Sequence, residues 1–260
     1  MRIVVKIGTS TLAHETGHMN IRRVEQLCKV FSDIKNAGHE VIIVSSGAIG
    51  MGVGKLGLRE RPKDIPTKQA AAAVGQCELM YTYDKLFSEY HHTAAQILLT
   101  AEDIQDDRRS KHVHDTLERL LSWGALPVIN ENDAVSTDEI GIKTTIGEND
   151  SLSAIVAGLI NADLLILLSD IDGLYTADPH KDPDAVLLHT VTRIDENIRN
   201  LAGVTSTSQG TGGMVTKLHA AEICLACGCN MVIANGKNPD NLYAILEGQD
   251  VGTKFMGESQ

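Results

Sequence analysis

The segment RIVVKIGTS at residues 2–10 and the segment EVIIVSSGA at residues 40–48 decide the fold. Each begins with a run of β-branched residues, which is typical of a buried strand, and each ends in small polar residues and glycine. Between them, residues 22–38 carry apolar side chains at helical spacing and end at Gly38, which suits a helix C-terminus. A strand, a helix and a second strand predict a parallel βαβ unit with a right-handed crossover.

The same alternation continues along the chain and predicts a mainly parallel sheet covered by helices, an α/β fold. Four glycines at residues 50–57 are unfavourable in a regular helix and indicate close packing or a loop there. Residues 173–188, with two prolines, are expected to form an irregular loop. The predicted strands are 93–100, 125–130, 163–170 and 230–236, and the predicted helices are 66–90, 111–123, 149–162, 215–228 and 238–248.

Composition and charge exclude several classes of protein. The 260 residues carry a net charge of −11, which argues against binding to duplex DNA or an anionic membrane. No apolar run approaches the ~20 residues of a membrane helix, and the N-terminus does not look like a secretion signal, so a cytoplasmic location is expected. Cys224, Cys227 and Cys229 lack the second ligand pair of a zinc site, and we interpret them as reduced packing residues.

Clusters of polar residues follow four of the predicted strands. They are residues 8–10, 45–47, 130–133 and 169–173. The carboxyl ends of parallel strands meet at one edge of a sheet, and ligands bind beyond that edge in open α/β folds. We therefore expect these clusters to lie together at one site.

Several of these clusters, and two further segments at residues 148–150 and 211–214, have both a functional and a purely structural interpretation. Lys6 either faces a phosphoryl group or extends from an edge strand into solvent, and the serines after the second strand either bind an anion or cap a helix. The Asn and Asp residues of 130–133 and 148–150 either hold a ligand or form turns. Residues 211–214, which lead into a helix carrying Lys217, form either a phosphate site or a flexible linker. Two lysines and two glycine-rich turns together favour phosphoryl transfer, which needs charge stabilisation and no covalent nucleophile.

Taken together, seven motifs resemble the amino acid kinase superfamily, and within it the members that phosphorylate the side-chain carboxylate of L-glutamate. They occur in the order of that family and cover almost the whole chain: VVKIGTS (4–10), VSSGAIGMG (44–52), KQAAAAVGQ (68–76), PVINENDAV (127–135), GENDSLSA (147–154), LLSDIDGLYTADP (167–179) and GTGGMVTKLHAA (210–221). The resemblance implies a three-layer αβα sandwich around an open, mainly parallel eight-stranded sheet, with an amino-acid lobe at about 1–162 and a nucleotide lobe at about 163–260.

The resemblance also implies roles for individual residues. Lys6 and Lys217 would stabilise the transferring phosphoryl group, and Asp150 would orient both lysines. Glutamate would be held by Ser46, Gly47, Asp133, Glu148 and Asn149. The nucleotide site would be lined by Ser169, Asp170, Gly173, Leu174, Tyr175, Thr211, Gly212, Gly213 and Met214, together with the two lysines. Mg²⁺ would accompany ATP and take few protein ligands, so no dedicated metal residue is assigned.

Further expectations follow from the same resemblance. Proline would act as a feedback inhibitor at the glutamate site, a glutamyl phosphate reductase would act next, and the chain would form dimers or tetramers. Glu148 stands where the family has Asp, and the sequence ends soon after VGTKF (251–255), so a PUA domain is not expected. Two alternatives stay open: a kinase for N-acetylglutamate, carbamate or UMP, and a sensor that binds glutamate or proline without turnover.

Overall fold

The computed structural model describes residues 1–14, 16–135, 149–179, 181–204 and 213–257. Within these ranges the strands are β1 (Arg2–Ile7), β2 (Glu40–Ser45), β3 (Ala94–Leu99), β4 (Leu126–Glu131), β5 (Leu164–Ser169), β6 (Thr190–Val191), β7 (Asn230–Asn235) and β8 (Thr253–Phe255). The helices are α1 (Thr9–Leu12), α2 (Ile21–Asn36), α3 (Ala48–Leu56), α4 (Ile65–Ser88), α5 (Ala101–Gln105), α6 (Asp107–Ser122), α7 (Asn149–Leu159), α8 (Glu196–Val204), α9 (Met214–Ala226) and α10 (Asn241–Leu246).

The eight strands described form one sheet in the order β3-β4-β2-β1-β5-β7-β8-β6. Every pair of neighbours among them is parallel except β7 and β8, which are antiparallel. The fold predicted from the sequence, a mainly parallel eight-stranded αβα sandwich, is confirmed. The carboxyl ends of β1, β2, β4 and β5 are adjacent at one edge, as the alternation of strands and helices predicts.

Helices cover both faces of the sheet, and the side chains of each strand alternate between the two resulting cores. In β1, Val4 belongs to the core beneath α7 and α9, whereas Ile3 and Val5 belong to the core beneath α2 and α4. Lys6 pairs in register with Val44 and Leu167, which lie in the same core as Val4. The two-residue period of the strand therefore directs Lys6 toward α7 and α9.

The glycine-rich stretch after β2 forms the helix α3, packed unusually close to α4. A Cβ atom on Gly52 would lie 1.8 Å from the carbonyl oxygen of Ala71, and one on Gly75 would lie 1.8 Å from that of Ala48. Both glycines permit a backbone contact that any side chain would prevent, and this packing offsets the low helix propensity of glycine. Close packing, the first of the two sequence interpretations, is the one observed.

Three elements at the C-terminal side were not predicted, namely β6, β8 and α8. Strands β6 and β8 span only two and three residues, too few to show a hydrophobic period.

None of the helices in the described ranges combines the length and hydropathy that a membrane crossing requires.

Substituting Gly52 by Ala is expected to destabilise the protein by about 1–3 kcal/mol or more, because the obstructing atom is backbone and cannot rotate away. The free energy of unfolding in urea measures this effect. Gly50→Ala in the same helix is the matched control, since its Cβ would meet Thr9 Cγ2 at an ordinary 3.6 Å. Equal unfolding free energies for the two variants would contradict the close-packing explanation.

Candidate active site

A buried carboxylate joined to two lysines lies at the carboxyl edge of the sheet. Lys6 Nζ lies 2.7 Å from Asp150 Oδ1, and Lys217 Nζ lies 3.2 Å from Asp150 Oδ2. The Asp150 side chain is 2% exposed, against 12% for Lys6 and 7% for Lys217. The three residues that sequence analysis placed at the catalytic centre are therefore brought together.

Each member of this cluster comes from a different element. Lys6 is the penultimate residue of β1, Asp150 lies in the first turn of α7, and Lys217 lies in the first turn of α9. The amino ends of α7 and α9 carry the positive end of the helix dipole, which favours anions nearby. Thr216 adds a hydroxyl whose oxygen lies 3.0 Å from Asp150 Oδ2. The arrangement concentrates positive charge around one carboxylate.

The pKa of Asp150 is the balance of two opposed effects. Burial acts to raise the pKa of this carboxyl, but the charges and hydrogen bonds of Lys6 and Lys217 act against it and prevail, so that the pKa lies below its ordinary value of 3.8. The carboxylate is thus ionised at neutral pH, with both oxygens engaged by ammonium groups. A carboxylate held by an ammonium group at each oxygen is unsuited to act as a proton acceptor.

A chain of hydrogen-bonded polar side chains extends from this centre to α4. Asn149, next to Asp150, donates through Nδ2 to Ser46 Oγ at 2.8 Å and to Asn130 Oδ1 at 3.1 Å. Asn130 Nδ2 in turn donates to Gln76 Oε1 at 2.9 Å. Ser46 and Asn149 are predicted site residues, whereas Gln76, in the middle of a helical pattern, has no predicted role.

Two cavities flank the amino end of α3. One, of about 370 Å³, is lined by Thr9, Gly47, Arg59, Arg61 and Asp133, among others, and the second, of about 390 Å³, shares Asp133 with it. Gly47 has a φ of 102°, a left-handed conformation that favours glycine and lets the backbone turn from β2 into α3. The predicted substrate residues Gly47 and Asp133 therefore lie at a cavity large enough for an amino acid.

Apart from the two lysines, the described residues predicted to bind nucleotide lie at the end of β5, in the loop after it, and at the start of α9. Ser169 Oγ donates to Asp170 Oδ1 at 3.1 Å, and the Leu174 backbone N–H donates to Thr253 Oγ1 at 2.8 Å. A Cβ on Gly173 would lie 2.4 Å from that threonine oxygen, so only glycine fits against β8.

Helix α9 begins immediately after Gly213. Gly213 is its N-cap and has open space around the position of a Cβ, while Met214 is buried. Glu148, Thr211 and Gly212, which were also predicted to belong to the site, lie outside the described residues.

Two contacts near the nucleotide residues were not foreseen. Tyr175 Oη donates to Asp172 Oδ2 at 3.0 Å, and Asn235 Nδ2 donates to Asp172 Oδ1 at 2.7 Å. Burial, together with the Asp172 carboxylate, raises the pKa of Tyr175. The bond from Asn235 ties the loop after β5 to the end of β7, two segments more than 60 residues apart in sequence.

Comparisons with known proteins agree with this geometry. Residues 1–235 match the family described as "Amino acid kinase family". The chain is 52% identical to glutamate 5-kinase of Clostridium perfringens over 99% of its length and 96% of the relative's. It is 49% identical to glutamate 5-kinase of Listeria welshimeri over 100% of its length and 94% of the relative's. An isopentenyl phosphate kinase of T. acidophilum is similar in fold, with a TM-score of 0.64, 21% identity and coverage of 98% and 100% of the two chains.

The variant Asp150→Asn is expected to lower the free energy of unfolding at neutral pH by about 3–5 kcal/mol, because it leaves two largely buried ammonium groups without their counter-ion. A carboxylate with a depressed pKa adds stability above its unfolded value of 3.8, and this contribution is lost as the pH falls through the lower folded value. The difference between wild type and variant should therefore stay constant from about pH 7 to about pH 5 and shrink below about pH 4.

Urea unfolding at a series of pH values measures this difference. Asp250→Asn, at an exposed position, is the control and should follow the wild type throughout. A difference in unfolding free energy between the wild type and Asp150→Asn that does not shrink below about pH 4 would contradict the ion-pair assignment.

Proposed function

Because the chain belongs to the amino acid kinase family, we propose that it transfers the γ-phosphoryl group of ATP to the side-chain carboxylate of L-glutamate, the first step of proline biosynthesis. The products are L-glutamyl 5-phosphate and ADP. The observation that carries this proposal is the pair of lysines on one buried carboxylate, directly beside the polar chain that leads to Ser46.

The reaction forms one bond and breaks one. A carboxylate oxygen of glutamate attacks the γ-phosphorus, and the bond from that phosphorus to the β,γ-bridging oxygen of ATP breaks, leaving its electron pair on ADP. The glutamate carboxylate is already ionised at neutral pH, so no general base is needed. A site whose one buried carboxylate is held by two lysines suits this chemistry.

The lysines would supply charge stabilisation in the transition state. Charge on the transferring group spreads over its equatorial oxygens and the leaving oxygen, and preorganised cations there lower the barrier. Lys6 would approach the group from β1 and Lys217 from α9, while Asp150 keeps both ammonium groups in position. Their low exposure strengthens each interaction with the phosphates, because little water competes.

On the acceptor side, we propose that Ser46, Gly47, Asp133, Glu148 and Asn149 hold glutamate. The buried Oδ1 of Asn149 has no hydrogen-bond partner among the described residues, which suits it to accept a hydrogen bond from the substrate's α-ammonium group. On the donor side, the nucleotide would occupy the segments around residues 169–175 and 211–214. Mg²⁺ would enter as Mg–ATP, held by phosphate oxygens and water.

Release of ADP from Mg–ATP, with several acceptors offered in parallel, tests this function. The acceptors are L-glutamate, N-acetylglutamate, carbamate, aspartate and UMP, and hydroxylamine traps an acyl phosphate as its hydroxamate. Turnover with glutamate and hydroxamate formation are expected. Turnover with another acceptor would overturn the substrate assignment, and glutamate binding without any turnover would favour a sensor.

Lys217→Ala is expected to reduce kcat by about 10²–10³-fold or more, because the variant loses a cation that acts mainly in the transition state. Its dissociation constant for glutamate, measured by calorimetry, should change little. Lys85→Ala, on the exposed side of α4, is the control and should retain wild-type turnover. An undiminished kcat for Lys217→Ala would refute the role of this lysine.

Proline is expected to raise the apparent KM of glutamate without lowering kcat, because both would occupy one site. The measurement is initial velocity over a glutamate series at several proline concentrations. A tenfold change in proline concentration corresponds to about 1.4 kcal/mol of competing binding. An apparent KM of glutamate that stays constant over that range would exclude competition.

The remaining expectations stay predictions. The boundary proposed between amino-acid and nucleotide lobes, near residue 162, lies in the connection between α7 and β5. A dimer or tetramer and a reductase that consumes the acyl phosphate are likewise proposed from the resemblance to the family. A cytoplasmic location stays an expectation from the sequence pattern alone.

A further inference from the structure

We infer that Gln76 is a positioning residue that determines which end of the Asn149 amide faces the substrate. This inference rests on the proposed function, because it concerns recognition of the α-ammonium group of glutamate. Gln76 lies on α4, is 7% exposed, and is connected to Asn149 through its hydrogen bond with Asn130.

The hydrogen bonds along this chain alternate in direction. Gln76 Oε1 accepts from Asn130 Nδ2, which leaves Asn130 Oδ1 as the acceptor for Asn149 Nδ2. Asn149 Nδ2 is then committed to Asn130 and to Ser46 Oγ. Only Oδ1 of Asn149 is left, and it is buried without a partner among the described residues.

Burial makes this alternation costly to disturb. Asn130 is 1% exposed, so water cannot replace a lost hydrogen bond to its amide, and an unsatisfied buried group costs about 1–3 kcal/mol. Without the acceptor on Gln76, the Asn130 amide is free to turn and present its NH₂ group to Asn149. Asn149 would then turn in response and offer its own NH₂ group to the substrate, which repels an ammonium group.

Gln76 is placed to act in this way without touching the reacting atoms. It lines the cavity of about 390 Å³ together with Met80 and Asp133, and its Nε2 is buried without a partner in the described part of the chain. A buried amide with only one of its two polar atoms hydrogen-bonded is unusual for a purely structural residue, since most buried polar side chains are fully satisfied.

The test compares glutamate with glutarate, which has the same two carboxylates and lacks the α-ammonium group. Gln76→Met removes the acceptor at similar side-chain volume. It is expected to weaken glutamate binding by about tenfold and glutarate binding by no more than about twofold, as measured by calorimetry, because only glutamate uses the Asn149 acceptor. Equal weakening of both ligands, or no effect on either, would overturn the inference.

Two further variants keep the result interpretable. Gln76→Glu retains an oxygen that accepts from Asn130, and it should keep the wild-type ratio of glutamate to glutarate affinity; a ratio as low as that of Gln76→Met would overturn the acceptor role. Tyr81→Phe, on the exposed side of the same helix and outside both cavities, should bind both ligands as the wild type does. Wild-type turnover of glutamate, measured separately, distinguishes failure of this inference from failure of the proposed function.

Discussion

The ion pairs of Asp150 with Lys6 and Lys217 are the interaction on which the remainder of the site depends. Two ammonium groups with little access to water would repel each other and would be expensive to bury. One carboxylate between them stabilises both, and it does so from the first turn of a helix whose dipole favours negative charge. The site can therefore present concentrated positive charge to phosphate groups while the protein as a whole carries a net charge of −11.

The strand order brings these charges together from distant parts of the chain. β1 lies between β2 and β5, so Lys6 has one polar strand end on each side of it. Asn130 comes from β4, one strand further out, and reaches the same centre through Asn149. A parallel sheet has this property in general, because its strand ends meet at one edge whatever their separation in sequence.

Much of this could be predicted from the sequence, and the rest could not for identifiable reasons. Long β-branched runs and the glycines after them revealed the central strands and the edge at which Lys6 and Asp150 meet. β8 is short and has no pattern, so its antiparallel pairing depends on contacts across the sheet that the sequence does not display. Gln76 was not predicted for a different reason: a glutamine within a helix is usually solvated, and its burial here, with a hydrogen bond from Asn130 of β4, depends on tertiary packing.

The contact between α3 and α4 also bears on how the protein could be engineered. Gly52 and Gly75 bring the two backbones together with no side chain between them, so the amino end of α3, which forms one wall of the two cavities beside Asp133, is held by main-chain geometry. Combinatorial libraries aimed at new acceptors can therefore vary Arg59 and Arg61 freely around a fixed wall. The same libraries should keep both glycines invariant, because a side chain at either position would clash with the backbone of the other helix.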